Sequence, residues 1–399
     1  MDHLLAQLNW LTTEQPAMLA LVEELCNQNS GTFNLAGLAA VCEKLIAEFS
    51  VLGGQISVMP TQPMQTVADD GTMIAQPLGS MIHIRKWPAA TRRVLLCIHM
   101  DTVYPAEHPF QKCVWLPDGS LNGPGVADAK GGLTVMLFAL RALEQSSLAG
   151  KIGWDVLINP DEEIGSFGSY SMIETLAPLC DFGLLFEPSL PDGTLVSWRK
   201  GSGNFTFVVR GRAAHAGRDF ESGRNAIVAL SRLMSAIADR NIDPDVTLNV
   251  GRVSGGGPLN VVPDLAIGRV NVRIKTAEQK SSVLSEMARL TAEFNQLDGI
   301  SVEMFGEFSS PPKPHTSDVA ELQQRIEGCA ATLDIPVHWQ GTGGACDGNK
   351  FAAAGLPNID TLGPCGGNIH SSAEYLLPAS LVPRAKLAAL ILLSYADEQ

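Results

Sequence analysis

The feature that most restricts how this chain folds is a run of acids at the end of a mostly apolar segment. Residues 152–158 have the composition of a buried strand, and Asp161, Glu162 and Glu163 follow after Asn159 and Pro160. Adjacent carboxylates repel one another, so a fold that gathers them in a cleft needs a strong cation beside them. We interpret that cation as a metal ion.

A second apolar run ends in a histidine. Residues 94–98 lead into His99, and Asp101 follows two positions later. Residues i and i+2 of a strand share a face, so Asp101 can hold the far ring nitrogen of His99 and leave the near nitrogen for metal. A histidine at a strand end is more often a hydrogen-bonded core residue. The aspartate beside it favours the ligand interpretation.

A glycine-rich turn presents a third acid. Residues 123–132 contain four glycines and place Asp128 just before a helical run at 133–143. A phosphate cradle is the alternative interpretation. The turn lacks both the Gly-Lys-Ser/Thr ending of a P-loop and the spacing of a dinucleotide fingerprint, so we favour a turn that aims a carboxylate.

Two further groups stand in similar places. Glu187 ends the apolar run 182–186, and His370 lies in the loop Gly-Gly-Asn-Ile-His-Ser-Ser-Ala-Glu-Tyr at 366–375. Taken singly, each fits a solvated strand end or a polar loop, as does the pair of glutamates. Their combination with His99 and Asp128 favours a metal site.

Length and charge restrict the class of protein. A chain of 399 residues is too long for one typical core and predicts two domains. The net charge of -14, from 28 basic and 42 acidic residues, argues against nucleic acid or an anionic membrane as a main partner.

Targeting signals and cysteines bear on location. Residues 1–20 have no basic stretch leading into an apolar core, and no uninterrupted run of about 18 apolar residues occurs, so we expect neither a signal peptide nor a membrane span. The eight scattered cysteines are typical of reduced, mostly buried thiols. We therefore expect a cytoplasmic protein.

The order of elements predicts an α/β fold in two parts. Strands alternate with helices up to residue 193, which indicates a mostly parallel sheet covered on both sides, with ligands at the carboxyl ends of its strands. The pattern then becomes β-α-β-β-α-β, the ferredoxin-like order. We predict a main domain of residues 1–193 and 309–399, and an inserted domain of residues 194–308 between proline- and glycine-rich hinges.

The motifs together resemble a known family. His99-Met-Asp101-Thr, the Asp128 turn and the Glu162-Glu163 pair, in this order, are similar to those of the dinuclear zinc exopeptidases, which include glutamate carboxypeptidase, acetylornithine deacetylase, succinyl-diaminopimelate desuccinylase and aminoacylase. The likeness covers nearly the whole chain. The His-Ser-x-x-Glu-Tyr stretch favours the glutamate carboxypeptidase branch.

This resemblance implies a metal site and its chemistry. The implied ligands of two divalent ions are His99, Asp128, Glu163, Glu187 and His370. His99 and Glu187 would hold one ion, Glu163 and His370 the other, and Asp128 would bridge them and precede a cis peptide. Nitrogen and oxygen ligands suit zinc, with cobalt or manganese as alternatives. Glu162 and Asp101 are the implied catalytic residues, and Glu162 would take the proton of the attacking water.

The resemblance also makes the inserted domain a lid and a dimerisation domain. His215 would reach into the site of a partner chain, while Asn260 and Arg273 would bind substrate, Arg273 through a two-pronged grip on a carboxylate. Without the family, a capping histidine, a turn asparagine and a surface arginine are the plainer interpretations.

We therefore expect a homodimeric hydrolase that cleaves an amide bond in a small peptide or N-acyl amino acid with a free carboxylate, releasing C-terminal glutamate in the carboxypeptidase case. A deacetylase or desuccinylase is the alternative. A silent metabolite-binding relative is a further one, marked by loss of Glu162 or a ligand, and all of these residues are present. Asn271, Cys346 and Ala373 depart from the family pattern and leave the substrate open.

Overall fold

The computed structural model describes residues 2–239 and 243–398. Its helices are α1 (Asp2–Ala6), α2 (Gln15–Cys26), α3 (Leu35–Ser50), α4 (Gly132–Glu144), α5 (Tyr170–Leu176), α6 (Ala226–Ala238), α7 (Ala277–Phe294), α8 (Ser317–Thr332), α9 (Asp347–Ala353) and α10 (Leu381–Asp397). Its strands are β1 (Gln55–Pro60), β2 (Met64–Val67), β3 (Met73–Gln76), β4 (Ser80–Lys86), β5 (Arg93–His99), β6 (Val114–Trp115), β7 (Leu121–Asn122), β8 (Gly153–Asn159), β9 (Phe182–Leu185), β10 (Leu195–Arg199), β11 (Gly201–Arg210), β12 (Thr247–Gly255), β13 (Leu265–Ile274), β14 (Ser301–Ser310), β15 (Trp339–Thr342), β16 (Asn358–Ile359), β17 (Gly366–Gly367) and β18 (Tyr375–Leu376).

The main domain is built on a six-stranded sheet in the order β1-β4-β8-β5-β9-β16. Strands β8, β5, β9 and β16 run parallel, whereas β1 and β4 are antiparallel to their neighbours. The predicted mostly parallel sheet is therefore confirmed. Because β5, β8 and β9 point the same way, the residues that follow them meet at one edge of the sheet.

Both faces of this sheet are buried. Along β5, Val94 and Leu96 pack into the large core with α3, α4, α8 and α10, while Leu95 and Cys97 face a smaller cluster with α5 and α9. This alternation is the two-residue period of a strand. Residues 378–397 are long and apolar enough to cross a membrane, but 67% of their 18-residue apolar window is buried inside the protein, as in a core helix.

The inserted domain contains a four-stranded antiparallel sheet. Its elements follow the order β11-α6-β12-β13-α7-β14, and its strands lie in the order β12-β13-β11-β14. The apolar sides of α6 and α7 pack on one face of this sheet. The β-α-β-β-α-β order matches the one expected from the sequence.

The chain crosses between the domains later than we predicted. Leu195–Arg199, which the sequence assigned to the insert, forms β10 and pairs in parallel with β15 of the main domain. Because only the next strand, β11, joins the sheet of the insert, we place the crossings near residues 200 and 311. A composition change at Pro191 marks the region but cannot reveal which sheet a strand joins.

A hairpin of the main domain covers the other face of the inserted sheet. Val67, at the end of β2, packs on Val208 and Ile267. Next to it, the carboxylate of Asp69 lies 2.9 Å from Arg252 and 3.1 Å from Arg269. The β2–β3 hairpin therefore adds a non-covalent contact between the domains to the two covalent crossings of the chain.

A buried group of charges joins the crossings to the sheet. Arg199 donates two hydrogen bonds of 2.8 Å to the carboxylate of Asp360, and Lys313 donates a third of 2.7 Å. The backbones of Arg199 and Lys313 also exchange two hydrogen bonds of 3.0 Å. Burial by itself raises the pKa of Asp360, but the charges of Arg199 and Lys313 outweigh it and hold this pKa below its usual range.

We predict that Asp360→Asn destabilises the protein, because it leaves two buried cations without a counter-charge. The expected loss in the free energy of unfolding is about 3 kcal/mol, measured by urea titration at neutral pH. Asp69→Asn removes an exposed acid from a pair of arginines and is the matched control, with an expected loss below about 1 kcal/mol. Equal losses in both variants would contradict the role assigned to the buried group.

Candidate metal centre

The structure brings the five predicted ligands together. The carboxylate of Asp128 lies between two imidazoles, with Oδ1 3.0 Å from Nε2 of His99 and Oδ2 3.2 Å from Nε2 of His370. Nε2 of His370 is also 3.1 Å from Glu163, and Nε2 of His99 is 3.7 Å from Glu187. Asp128 therefore occupies the middle position that the resemblance assigned to a bridging ligand.

The donor set fits divalent metal. Ligand atoms of His99, Asp128 and Glu163 all lie within 4.8 Å of one another. Burial and the charge of Asp128 raise the pKa of Glu163 to about 7, and hydrogen bonds to Asp128 and Glu163 raise the pKa of His370 to about 11. The raised pKa of Glu163 reflects the crowding of carboxylates in a buried site, which a divalent cation would relieve. Two imidazoles and three carboxylates suit zinc.

Asp101 orients this cluster from behind. Nδ1 of His99 lies 3.0 Å from the carbonyl oxygen of Asp101 and 3.3 Å from its carboxylate. The same carboxylate accepts hydrogen bonds from the backbone N–H groups of Glu162 and Glu163, at 3.1 and 3.3 Å, and from the hydroxyl of Thr32 at 2.7 Å. Since Asp101 is fully buried, the geometry gives it a positioning role rather than contact with substrate.

Glu374 is a residue that the sequence analysis did not single out. It is buried, and its carboxylate accepts hydrogen bonds from the backbone N–H groups of Gly125, Ala127 and Asp128, at 3.0 to 3.1 Å, and from the hydroxyl of Tyr104 at 2.8 Å. These bonds shape the turn that presents Asp128. The sequence offered one indication of this role. Glu374 belongs to the His-Ser-x-x-Glu-Tyr motif, and such motifs include residues that support the ligands as well as the ligands themselves.

The turn itself has the expected cis peptide. The bond between Asp128 and Ala129 is cis, and Gly125 at its start has a φ of 76°. A side chain at Gly125 would meet the methyl group of Thr102 at 2.7 Å. Glycine is therefore required here both by the left-handed backbone and by the close approach.

A cavity of about 490 Å³ opens beside the ligands. Glu162, Glu187 and His370 line it from the main domain, and Arg273 lines it from β13 of the inserted domain. Burial raises the pKa of Glu162 well above its usual range, and the charge of Glu187 raises it further. The structure thus places the predicted base and the predicted carboxylate-binding arginine in one space.

The other two lid residues lie elsewhere. His215 and Asn260 are both exposed and neighbour each other, with the backbone N–H of Ala216 donating to the carbonyl of Asn260 at 2.9 Å. Neither lines the cavity of its own chain in the part that the structure describes. Leu259 beside them is fully exposed. Their predicted contact with substrate depends on a second chain and stays a prediction.

A family model described as peptidase family M20/M25/M40 matches residues 95–394. The chain belongs to this family. Carboxypeptidase G2 from Pseudomonas sp. (strain RS-16) is 29% identical over 385 residues, which cover 94% of this M20 chain and 88% of that protein. A succinyl-diaminopimelate desuccinylase from Maricaulis maris (strain MCS10) is 30% identical over 277 residues, which cover 64% of this chain and 68% of that protein.

Solved structures share the fold of this M20 protein. A tripeptidase from Staphylococcus aureus has a TM-score of 0.74 and 23% identity, with 96% of this chain and 99% of that chain covered. A dinuclear metal binding peptidase of the M20 family from Bacillus subtilis has a TM-score of 0.67 and 17% identity, with 96% and 99% covered. The expected family and fold class are confirmed, and the protein is a metal-dependent hydrolase of peptide or amide bonds.

We predict that Glu374→Gln weakens metal binding. An amide places a donor against N–H and O–H groups that now point at carboxylate oxygens, so the Asp128 turn loosens. Loss of such a supporting contact typically lowers metal affinity by about 10- to 100-fold. Calorimetric titration of zinc into metal-free protein measures it. Tyr104→Phe removes one donor and keeps the backbone hydrogen bonds, so its zinc affinity should fall less. A larger fall in Tyr104→Phe than in Glu374→Gln would overturn the supporting role assigned to Glu374.

Proposed function

We propose that this M20 protein cleaves the amide bond between an acyl or aminoacyl group and a carboxylated amino acid, in small peptides or N-acyl amino acids. The observation that carries the proposal is that Glu162 and Arg273 face one cavity beside the ligand cluster. The relatedness to carboxypeptidase G2 supports release of a C-terminal amino acid, such as glutamate. Two divalent ions, zinc by the chemistry of the ligands, complete the site.

Among the described residues that line this cavity, Arg273 is the cation available to a substrate carboxylate. Arg199 also lines the cavity, but its side chain is already paired with the carboxylate of Asp360 through two hydrogen bonds. Arg273 instead donates a 2.9 Å hydrogen bond to the neutral amide of Asn271, a position where the family commonly has an aspartate. With a neutral neighbour, the guanidinium keeps its full charge for the ligand, which it can grip with two parallel hydrogen bonds.

The residues of the chain divide the chemistry as follows. His99, Asp128, Glu163, Glu187 and His370 would hold the divalent ions, which when bound would supply Lewis acidity and lower the pKa of water. Arg273 orients the substrate through its carboxylate. Glu162 takes the proton of the attacking water and returns it to the amide nitrogen as the amine leaves, so one carboxyl acts as base and then as acid. The raised pKa of Glu162 suits the step in which its carboxyl group donates the proton to the amide nitrogen.

A deacylase is the alternative function. It is favoured by the 30% identity to a succinyl-diaminopimelate desuccinylase. A desuccinylase substrate carries a carboxylate on its acyl group as well, so that enzyme needs a second cation near the acyl end. This difference lets substrate preference separate the two functions.

A substrate screen tests the proposal. With zinc added, we expect hydrolysis of N-acyl amino acids or dipeptides with a free carboxylate, and loss of that activity on chelation.

Glu162→Gln removes basicity at nearly constant size and should lower kcat by at least about 100-fold with normal metal content. Joint loss of metal and activity in this variant would mean that Glu162 is a ligand. If the unmutated protein hydrolyses none of the N-acyl amino acids and dipeptides, the proposed function is refuted.

We also propose that the protein is cytoplasmic, which the eight free cysteines support, and that it is a homodimer, which the exposed residues His215, Leu259 and Asn260 support.

If His215 stabilises the oxyanion in the partner's site, His215→Ala should lower kcat by about 100-fold. Mixing His215→Ala with Glu162→Gln chains should then restore activity, since one of the two composite sites is intact. Subunit exchange shown by native mass measurement without recovered activity would argue against a shared site.

A further inference from the structure

The β2–β3 hairpin is an ordered arm of the main domain. Its strands form a two-stranded sheet of their own, whereas β1 before it and β4 after it belong to the main sheet. At its base, the hydroxyl of Thr61 donates to the carbonyl of Gly79 at 2.7 Å. At its turn, the carboxylate of Asp70 accepts hydrogen bonds from the backbone N–H and the hydroxyl of Thr72, at 2.9 and 2.6 Å. Both ends of the arm are therefore fixed by its own hydrogen bonds.

Three arginines of the inserted sheet bind the turn of this hairpin. Arg210 donates to the carbonyl of Gly71 at 2.9 Å. The carboxylate of Asp69 accepts from Arg252 at 2.9 Å and from Arg269 at 3.1 Å. A side chain at Gly71 would meet the guanidinium of Arg210 at 2.8 Å, and the φ of Gly71 is 78°, so this position requires glycine. The turn is thus shaped to lie against the inserted domain.

One of these arginines lies on the strand that carries Arg273. In β13, Val270 and Val272 pack into the core with α6 and α7, so the odd-numbered residues face the other way. On that second face, Arg269 donates to the carbonyl of Val67 at 2.9 Å as well as to the turn. Arg273 follows on the same face, about 13 Å further along the strand, and lines the cavity. The hairpin therefore holds the strand close to the point from which Arg273 enters the cavity.

The hairpin is far from the places where the chain crosses between the domains. Strand β11 begins at the first crossing and ends ten residues later at Arg210, about 30 Å away. A domain that is attached at one place can rotate about it, whereas a second attachment at this distance restricts the rotation. Rotation of the inserted domain would move Arg273 relative to Glu162. The contact at the hairpin thus bears on the geometry of the cavity.

The ionic part of this contact is open to solvent. The side chains of Asp69 and Arg252 are 61% and 58% exposed, and that of Arg269 is 25% exposed. Exposed ion pairs are weak, and salt weakens them further, since the Debye length falls from about 10 Å at 0.1 M to about 3 Å at 1 M. A substitution at Asp69 should therefore loosen the relation between the domains without unfolding either of them.

We propose that the β2–β3 hairpin positions Arg273 for the substrate carboxylate, and that Asp69 and Arg269 are the positioning residues. The proposal rests on the proposed function, in which Arg273 binds that carboxylate. Without the contact, a smaller fraction of molecules holds Arg273 in place at any moment, and the apparent affinity for substrate falls by that fraction.

The test is the steady-state kinetics of Asp69→Asn with a substrate that has a free carboxylate. KM should rise by about threefold or more while kcat changes by less than about twofold, because only binding is weakened. The ratio of this KM to that of the unmutated protein should approach one in about 0.5 M NaCl, where salt already weakens the contact. Asp118→Asn is the matched control. It removes the same charge from another hairpin turn, where the carboxylate accepts hydrogen bonds from Ser120, and its KM should not change.

A double variant tests whether the two positioning residues act together. Combining Asp69→Asn with Arg269→Gln should raise KM by less than the product of the two separate effects, since both remove the same contact. Effects that multiply would mean that the two side chains act independently and would overturn their shared role.

Hydrogen exchange separates this inference from the function on which it rests. At low salt, the amides of residues 64–76 should exchange about threefold faster in Asp69→Asn than in the unmutated protein, because a released hairpin opens more often. Unchanged exchange, or faster exchange with an unchanged KM, overturns the positioning role and leaves the hydrolase standing. If the unmutated protein hydrolyses no carboxylated substrate, the proposed function fails and the role of Arg273 fails with it.

Discussion

The structure depends on holding like charges together at one edge of a sheet. Asp128, Glu163 and Glu187 come from three separate segments, and burial in a shared site raises the cost of ionising them together. Two acids that are not ligands fix this arrangement: Asp101 binds the backbone of the glutamate pair, and Glu374 binds the Asp128 turn. Each acts through N–H donors, which align a carboxylate-bearing segment without adding a ligand. The ligand geometry is therefore supported by hydrogen bonds of the protein itself.

The relation between the domains rests on a different device. The two crossing segments are joined by backbone hydrogen bonds and by the shared carboxylate of Asp360, while the β2–β3 hairpin holds the far side of the inserted sheet. Arg273 reaches the cavity only because β13 is held in this orientation. The position of the residue proposed to bind substrate is thus set by contacts well removed from the cavity.

The sequence predicted what is local and missed what is paired over a distance. Strand ends at His99 and Glu187, the Asp128 turn and the glutamate pair are visible as apolar runs followed by polar residues, and the family resemblance assigned their roles. By contrast, Arg199 and Asp360 are 161 residues apart, and Glu374 is 249 residues from Gly125. No periodicity connects such positions. The pairing of β10 with β15 was missed for the same reason, since a short apolar strand fits either sheet.

The charges of the cavity beside the ligands argue for a direction of substrate binding. Its two arginines differ, because Arg199 is already paired with Asp360, whereas Arg273 contacts the neutral amide of Asn271. Under the proposed function, a substrate carboxylate binds at Arg273 and the rest of the substrate extends toward Glu162 and the ligands that line the same cavity. Orientation then follows from charge, and the bond presented to Glu162 is the one on the acyl side of the carboxylated amino acid.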